Sequence, residues 1–197
     1  LIFACTDRAI PSGGLPMDIG VVVNNVATAY TIGNLFETGM PLVQWVCTVT
    51  GKGIKSPKNI RFRVGTPLKS LIDFCDGYNG TPGKILLGGP MMGVAQFSDE
   101  LPAMKNTSGV LVFSQEEAKL PEATACIKCG KCVSVCPINL EPIQISAYTM
   151  LHDYDKAAKF NALDCIECGS CSFICPAKRP LLQTIRVAKR EILARRK

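Results

Sequence analysis

Alternation of apolar and polar residues predicts two strands in the first half of the chain. Across residues 43–50 every second side chain is apolar, and across residues 60–64 apolar side chains alternate with Arg61 and Arg63. A period of two is typical of a half-buried strand, because successive side chains point to opposite faces of the sheet. The two segments therefore predict neighbouring strands, the second with one basic face.

A helix and two further strands are predicted after this pair. Thr66 suits a helix N-cap and Pro67 the first helical position. The apolar face of this helix is formed by Leu68, Leu71, Ile72 and Cys75. Apolar runs at residues 84–87 and 109–113 predict strands, and the glycine-rich segment 88–93 predicts a tight turn with two packing methionines. The order of these elements predicts a small mixed sheet packed on one helix.

The N-terminal segment is predicted to contain a strand and a helix. Three valines after Gly20 indicate a short buried strand that ends in a polar turn at Asn24 and Asn25. Residues 26 to about 36 have a helical pattern, which ends before Gly39. Paired asparagines at this position can cap the helix or mark a ligand-binding edge, and capping is the commoner role.

The last third of the chain is predicted to be helical. Pro142 opens a helix, Asp153 caps a shorter one, and Pro180 opens a long one. The first of these is predicted to have one apolar side formed by Ile143, Ala147, Met150 and Leu151. The last is predicted to have a core-facing stripe formed by Leu181, Leu182, Ile185, Ala188, Ile192 and Leu193. Its C-terminal end carries cations, including Arg196 and Lys197, which suit the end of a helix.

Eight of the eleven cysteines fall in two runs with the same spacing, C-x2-C-x2-C-x3-C-P. This is the bacterial iron–sulfur pattern, in which the fourth cysteine of each run binds the other cluster. One 4Fe-4S cluster is therefore assigned to Cys126, Cys129, Cys132 and Cys175. A second is assigned to Cys165, Cys168, Cys171 and Cys136. Zinc also binds C-x2-C pairs, but a structural zinc site needs four ligands rather than three evenly spaced cysteines followed by C-P.

Composition restricts the function further. A disulfide framework does not suit a chain of 197 residues with metal-type spacing, and the cluster cysteines indicate a reducing compartment. The formal charge of +6 falls to about +2 with eight thiolates and two oxidised cluster cores, which argues against nucleic acid as a partner. The other three cysteines, Cys5, Cys47 and Cys75, are predicted to be small core residues.

Electron transfer is the function that these ligands predict. A cluster held by four cysteines has no open coordination site, so no residue is assigned a catalytic role. Lysines and an arginine surround the first cluster's cysteines, at positions 128, 131, 178 and 179, whereas Glu141, Asp164 and Glu167 are near those of the second. Positive charge favours the reduced cluster, so the first is predicted to have the higher potential.

Several motifs together resemble the family of C subunits of Rnf electron-transport complexes. They are residues 15–28, 39–42 and 88–93, the two cysteine runs, and the endings at residues 175–181 and 185–190. The resemblance covers essentially the whole chain. Where many such subunits have a polar–apolar pair before Pro180, this chain has Lys178 and Arg179.

The resemblance implies a fold class of α+β with four segments. Residues 1–41 would end an α/β flavin domain that binds FMN and NADH, and residues 42–98 would be a β-grasp soluble-ligand-binding domain. Residues 99–122 would be a strand and linker, and residues 123–197 an α-helical ferredoxin domain with two 4Fe-4S clusters. The FMN contacts implied by the family are Val23, Asn24, Asn25 and Thr28.

The resemblance also implies a setting. Rnf complexes couple electron flow between ferredoxin and NAD to ion movement, and the C subunit is peripheral, on the cytoplasmic side of the bacterial cell membrane. Its partners would be other Rnf subunits, including a ferredoxin-like one. The upstream glycine-rich flavin and nucleotide loops are missing here, so the chain is expected to be a fragment that is not catalytic alone, with FMN and NAD(H) bound only by the full-length protein. A related cobalamin reductase and a stand-alone ferredoxin-like carrier are the alternatives.

Overall fold

The computed structural model describes residues 1–195, in which the chain divides into two compact units. One, the sheet unit, is residues 25–121. The other, the cysteine unit, combines residues 1–24 with the chain from Glu122 onwards. Arg196 and Lys197, predicted to end the last helix, lie outside the described residues. The residues described include no helix with the length and apolar character needed to cross a bilayer.

The sheet unit is built on five strands in the order β2-β1-β5-β3-β4. The strands are β1 (Gln44–Thr50), β2 (Lys58–Arg63), β3 (Pro82–Leu87), β4 (Val94–Gln96) and β5 (Gly109–Ser114). Strand β5 runs parallel to β1, and the other neighbours are antiparallel. The strand predicted within residues 99–122 thus lies in the centre of this sheet. The mixed sheet agrees with the one that the order of elements predicts.

One buried cluster joins this sheet to one of the unit's helices. The first helix of the chain, α1 (Ile2–Thr6), belongs to the cysteine unit. The helices of the sheet unit are α2 (Val26–Thr38), α3 (Leu68–Phe74) and α4 (Gln115–Ala118). Cys47 and Val49 from β1 pack with Leu68 and Ile72 from α3, and all four are buried. The period-two pattern of β1 and β2 and the apolar face of α3 are therefore confirmed.

Glycine is required where β1 ends. Gly51 has φ 114°, and a Cβ built there would lie 2.1 Å from the carbonyl oxygen of Val112 in β5. No side chain fits in that space, so the turn after β1 can pass this close to the central strand only without one.

Three predictions about the sheet unit are wrong in detail. Thr66 does not cap α3: the N-cap is Pro67, and the Thr66 hydroxyl donates to the Arg63 carbonyl. Residues 88–93 do form a turn, between β3 and β4, but Met91 and Met92 are exposed rather than packed. Part of the predicted linker is helix α4, which a capping box between Ser114 and Glu117 stabilises.

The predicted strand at residues 20–23 is also absent. A 3-10 helix, Pro16–Ile19, is followed by Gly20, and the three valines after it belong to no helix or strand. Val22 is 80% exposed, so the valine run has no core to enter. A strand needs cross-strand pairing, which sequence periodicity alone does not supply.

The cysteine unit is helical after residue 122. Its helices there are α5 (Lys131–Ser134), α6 (Pro142–Met150), α7 (Tyr154–Lys159), α8 (Ser170–Ile174) and α9 (Leu181–Arg195). Asp153 caps α7, accepting from the Lys156 N–H as predicted. The stripe of α9 is buried except for Leu193, which is 51% exposed.

The apolar side predicted for α6 is not the side of the helix that is buried. Ile145, Ser146 and Thr149 are buried instead, and Ser146 accepts a hydrogen bond from Thr184 of α9. Met150 and Leu151 are exposed. The Ser146 hydroxyl finds its partner in α9, whereas the Thr149 hydroxyl donates to the Ile145 carbonyl of its own helix. Both polar groups are therefore buried with a partner, which apolarity alone does not predict.

Candidate metal centres

The first cavity in the cysteine unit is lined by thiols from both cysteine runs. It measures about 580 Å³, and its cysteines are Cys126, Cys129, Cys132 and Cys175. Three belong to the first run and the fourth ends the second run. The apolar side predicted for α6 contributes here, since Ile143 and Ala147 line this cavity rather than a core.

The second cavity has the reciprocal composition. It is much smaller, about 20 Å³, and its cysteines are Cys136, Cys165, Cys168 and Cys171. Pro142, at the start of α6, lines it, while the next residue, Ile143, lines the first cavity. The two cavities are therefore immediate neighbours on either side of one helix start.

The donor sets fit iron–sulfur clusters. Each cavity gathers four cysteines, which is the ligand set of a 4Fe-4S cluster, and the sets are those that the spacing predicts. Among residues 1–195 no three or more Cys, His, Asp or Glu side chains converge tightly enough to hold a single metal ion.

The two runs fold with the same backbone, because left-handed residues recur at matched positions. Lys128 and Glu167, two residues after the first cysteine of each run, have φ of 56° and 57°. Gly130 and Gly169 have φ of 73° and 80° and immediately precede the short helices α5 and α8. This repeated turn brings the three cysteines of each run round one centre.

Backbone donors lie close to the sulfurs. The Lys128 N–H donates to Cys126 Sγ at 3.4 Å, and the Leu140 N–H donates to Cys136 Sγ at 3.3 Å. Ser170 Oγ lies 3.4 Å from Cys168 Sγ, and its hydrogen bond lowers the pKa of that thiol. Burial raises the pKa of Cys171 to about 11. Positive charge from iron, if these thiols bind it, would offset that cost, since a metal deprotonates a coordinating thiol.

The acidic surroundings predicted for the second set are compensated. Glu167 accepts hydrogen bonds from Arg186 and Lys189 of α9, both at 2.8 Å. Lys189 also donates to the Cys165 carbonyl at 2.8 Å. These partners, Lys189 first, hold the pKa of Glu167 below its usual value. Residues distant in sequence thus bring two cations to this side, which weakens the predicted charge difference between the sets.

The first set has cations of two kinds. Lys128, Lys131 and Lys178 are exposed, so solvent screens their charge. Arg179 is half-buried, lines the first cavity, and donates from Nη2 to Met150 Sδ at 3.2 Å. All four cations are close in sequence to the cysteines of the first set, but proximity along the chain carries no information on which of them is buried.

The four residues that the resemblance implies for FMN are all exposed. Val23 and Asn24 belong to the cysteine unit, and Asn25 and Thr28 to the sheet unit. The Asn25 side chain accepts from the Ala27 N–H and caps α2, which is the commoner role of asparagines at such a position. FMN contact at these residues rests on the resemblance alone.

Two family models match separate parts of the chain. A 4Fe-4S dicluster domain matches residues 119–188, and an SLBB domain matches residues 46–95. The first covers both cysteine runs and most of α9. The second covers the sheet from β1 to the start of β4. The chain is thus a mixed α+β protein with a 4Fe-4S dicluster domain and an SLBB domain.

Curated relatives match along the whole chain. It is 54% identical over 197 residues to the C subunit of the Na(+)-translocating ferredoxin:NAD(+) oxidoreductase complex of Acetobacterium woodii, covering all of this chain and 44% of the relative. It is 48% identical over 192 residues to the proton-translocating counterpart of Clostridium ljungdahlii, covering 97% of this chain and 42% of the relative. The C subunit of an ion-translocating oxidoreductase complex of Rhodobacter capsulatus is 41% identical over 195 residues, covering 99% of this chain and 38% of the relative. The chain therefore spans less than half the length of these three relatives.

Proposed function

We propose that this chain transfers electrons through two 4Fe-4S clusters within an ion-translocating ferredoxin:NAD oxidoreductase complex of the Rnf type. The chain is a homologue, along its whole length, of C subunits of such complexes. The observation that carries this proposal is the exchange of the fourth cysteine between the two cavities. Exchanged ligands place two centres next to each other, which suits relay better than storage at one site.

We assign the ligands by cavity. Cys126, Cys129, Cys132 and Cys175 would hold the first cluster. Cys165, Cys168, Cys171 and Cys136 would hold the second. A bound 4Fe-4S cluster supplies one-electron chemistry, with a potential set by charge, hydrogen bonds to sulfur and burial.

The remaining residues of the site would orient and tune the ligands. The N–H groups of Lys128 and Leu140 donate to cysteine sulfur, which favours the thiolate. Ile143 and Ala147 would give one side of the first cavity an apolar lining. Every ligand position is filled by cysteine, so this part of the protein relays electrons without binding a substrate at iron.

The domain assignment follows the same proposal. Residues 42–98 would be the β-grasp domain, extended by β5 from the segment 99–122, and residues 123–197 the ferredoxin domain. Residues 1–41 would be the end of an FMN- and NADH-binding domain, which the longer relatives would complete. Val23, Asn24, Asn25 and Thr28 would contact FMN there, and this chain alone would not oxidise NADH.

The setting follows from the relatives' names and the resemblance. The chain would act as a peripheral subunit on the cytoplasmic side of the cell membrane, beside other subunits of the complex, one of them ferredoxin-like. Ion movement would belong to those partners, because cysteine-held clusters transfer electrons only.

Iron and sulfide analysis of the anaerobically purified chain tests the proposal. We expect about eight iron and eight acid-labile sulfide per chain, two one-electron centres by EPR, and no bound flavin. Stoichiometric zinc without sulfide would contradict it. Two further experiments separate the Rnf assignment from the cobalamin reductase alternative. Co-purification of the full-length protein with membrane subunits would support the Rnf assignment, and reduction of cobalamin by it would support the alternative.

A further inference from the structure

Arg179 has a buried hydrogen-bond donor without an acceptor. Its Nε atom is buried and finds no partner among residues 1–195, while its Nη2 donates to the thioether of Met150. An arginine stays charged at any pH that a protein tolerates. A buried donor left unpaired costs about 1–3 kcal/mol, and more when it is charged, so the guanidinium is expected to have an acceptor that the polypeptide does not provide.

The position of Arg179 indicates what this acceptor is. Its side chain lines the cavity that holds the thiols of Cys126, Cys129, Cys132 and Cys175. The chemistry gathered in this cavity is sulfur, which accepts hydrogen bonds when it carries negative charge. A cation placed at such sulfur forms a charge-assisted hydrogen bond, which is about twice as strong as a neutral one.

Burial separates Arg179 from the neighbouring cations. Lys178 is exposed, and so are Lys128 and Lys131, so water and salt screen their charges. Arg179 is half-buried with a fully buried Nε, so its charge acts through a medium of lower dielectric constant. A single residue here can therefore influence the first centre more than the three lysines.

Resting on the cluster binding proposed above, we propose that Arg179 tunes the first centre by donating from Nε to one of its sulfurs. One electron enters the centre from its redox partner, no bond breaks, and no proton is taken up because the guanidinium keeps its own. The added negative charge strengthens the hydrogen bond, so Arg179 stabilises the reduced form. Arg179 is thus a tuning residue for the first centre and not a ligand.

Potentiometric titration followed by EPR tests this role on the anaerobically purified chain. In R179Q, we expect about eight iron to remain, and one of the two centres to become harder to reduce. At a fixed ambient potential its ratio of reduced to oxidised protein should fall about tenfold, which corresponds to 59 mV for a one-electron couple. K178Q removes the same charge from the adjacent exposed residue and should shift that centre much less.

The outcomes separate this role from the proposed function. Eight iron with an unshifted centre in R179Q would overturn the tuning role and leave the clusters in place. Equal shifts of the potential in R179Q and K178Q would show that net charge alone explains the effect, and would contradict the proposed hydrogen bond. If R179Q loses iron, R179K is titrated instead: it keeps the charge but lacks Nε, so a potential equal to wild type would contradict the inference. Wild-type protein without iron–sulfur signals would refute both proposals.

Discussion

Cys136 lines the same cavity as Cys165, although it ends the first cysteine run and Cys165 begins the second. The reverse exchange places Cys175 with the first three cysteines of the first run. In the proposed assignment each centre depends on both runs, so a single substitution should identify which centre a cysteine serves.

The first prediction concerns this exchange. In C136S we expect the second centre to be lost or converted, because a serine hydroxyl is a poorer iron ligand than a thiolate, while the first keeps its EPR signal. In C175S we expect the opposite. Iron content and EPR after reduction measure both.

Cys5 provides the control. It was predicted to be a core residue, which is wrong, since it is exposed and lies outside both cavities. C5S should retain all the iron. If C136S instead removed the signal that depends on Cys126, each run would bind its own cluster and the exchange would be wrong.

The second prediction concerns Glu167. Its carboxylate compensates Arg186 and Lys189, so E167Q would leave two cations close to the second set of cysteines. We expect the potential of that centre to rise, because uncompensated positive charge favours the reduced form. Redox titration of the variant measures the shift.

Glu141 is the matched control for this change. It is exposed at the start of α6 and has no ion pair within 4.0 Å among the described residues. E141Q should shift the potential less than E167Q. A downward shift in E167Q, or equal shifts in the two variants, would show that compensation at Glu167 does not control the centre.

The third prediction concerns Gly51. In G51A the new methyl group would clash with the Val112 carbonyl. The alanine would also be strained by the positive φ at this position. We expect the free energy of unfolding of the sheet unit to fall by about 3 kcal/mol or more. Denaturation followed by the fluorescence of Trp45, the single tryptophan, measures this loss.

Gly65 separates strain from steric clash. It also has a positive φ, 97°, but a Cβ there would meet no atom within 4 Å. G65A should therefore cost only about 1 kcal/mol, which is the strain of the backbone conformation alone. Equal losses in both variants would mean that the turn after β1 moves to admit the methyl group.

The fourth prediction is a pH dependence. Burial, with a contribution from Cys75, raises the pKa of Cys47 to about 11 from an ordinary value of 9.0. A raised pKa favours the protonated thiol in the folded state, so its contribution to stability is complete below pH 9 and is lost as the pH rises towards 11. The loss at pH 11 is about 2 kcal/mol.

Removing the thiol tests this contribution. Stability of wild type and C47A is compared between pH 8 and pH 10.5 by denaturation with Trp45 fluorescence as the signal. The difference in the free energy of unfolding between wild type and C47A should become smaller as the pH rises, because only wild type contains the Cys47 thiol that titrates. A constant difference would indicate that Cys47 does not titrate in this range.

The fifth prediction concerns metal removal. Metal binding contributes to the free energy of folding when the ligands are far apart in the unfolded chain. The thiols of the two cysteine runs are separated in this way. Chelation of iron under oxidising conditions should therefore lower the helical circular dichroism that comes from the cysteine unit. The denaturation midpoint seen by Trp45, in the core-facing part of β1, should change little. A large shift of that midpoint would show that the sheet unit depends on the metal.

Sequence periodicity predicted the sheet unit well for a physical reason. Alternating residues such as Trp45 and Cys47 pack against a single core, so burial follows period two directly. It failed for α6, whose apolar Ile143 and Ala147 face the first cavity while Ser146 packs against α9. Apolar side chains can surround a metal centre as well as a core, and periodicity does not distinguish the two.

Cysteine spacing predicted the sets of thiols, because the same turns recur in both runs. It did not predict the electrostatics of the sites. Arg186 and Lys189 reach Glu167 from a helix that begins after the second run, and the burial of Arg179 depends on tertiary packing. Charges close in sequence are therefore a poor guide to the charges that a centre experiences.

The exchange of the fourth cysteine also sets an order for biosynthesis. The first run emerges from the ribosome with Cys136 already present, but its own cavity lacks Cys175 and the other lacks three cysteines. Neither set of four exists until residue 171 has been translated, and the first set is completed last. If the two sets bind clusters as proposed, insertion would be delayed until almost the whole domain is available. A chain truncated between the runs would leave four thiols open to oxidation.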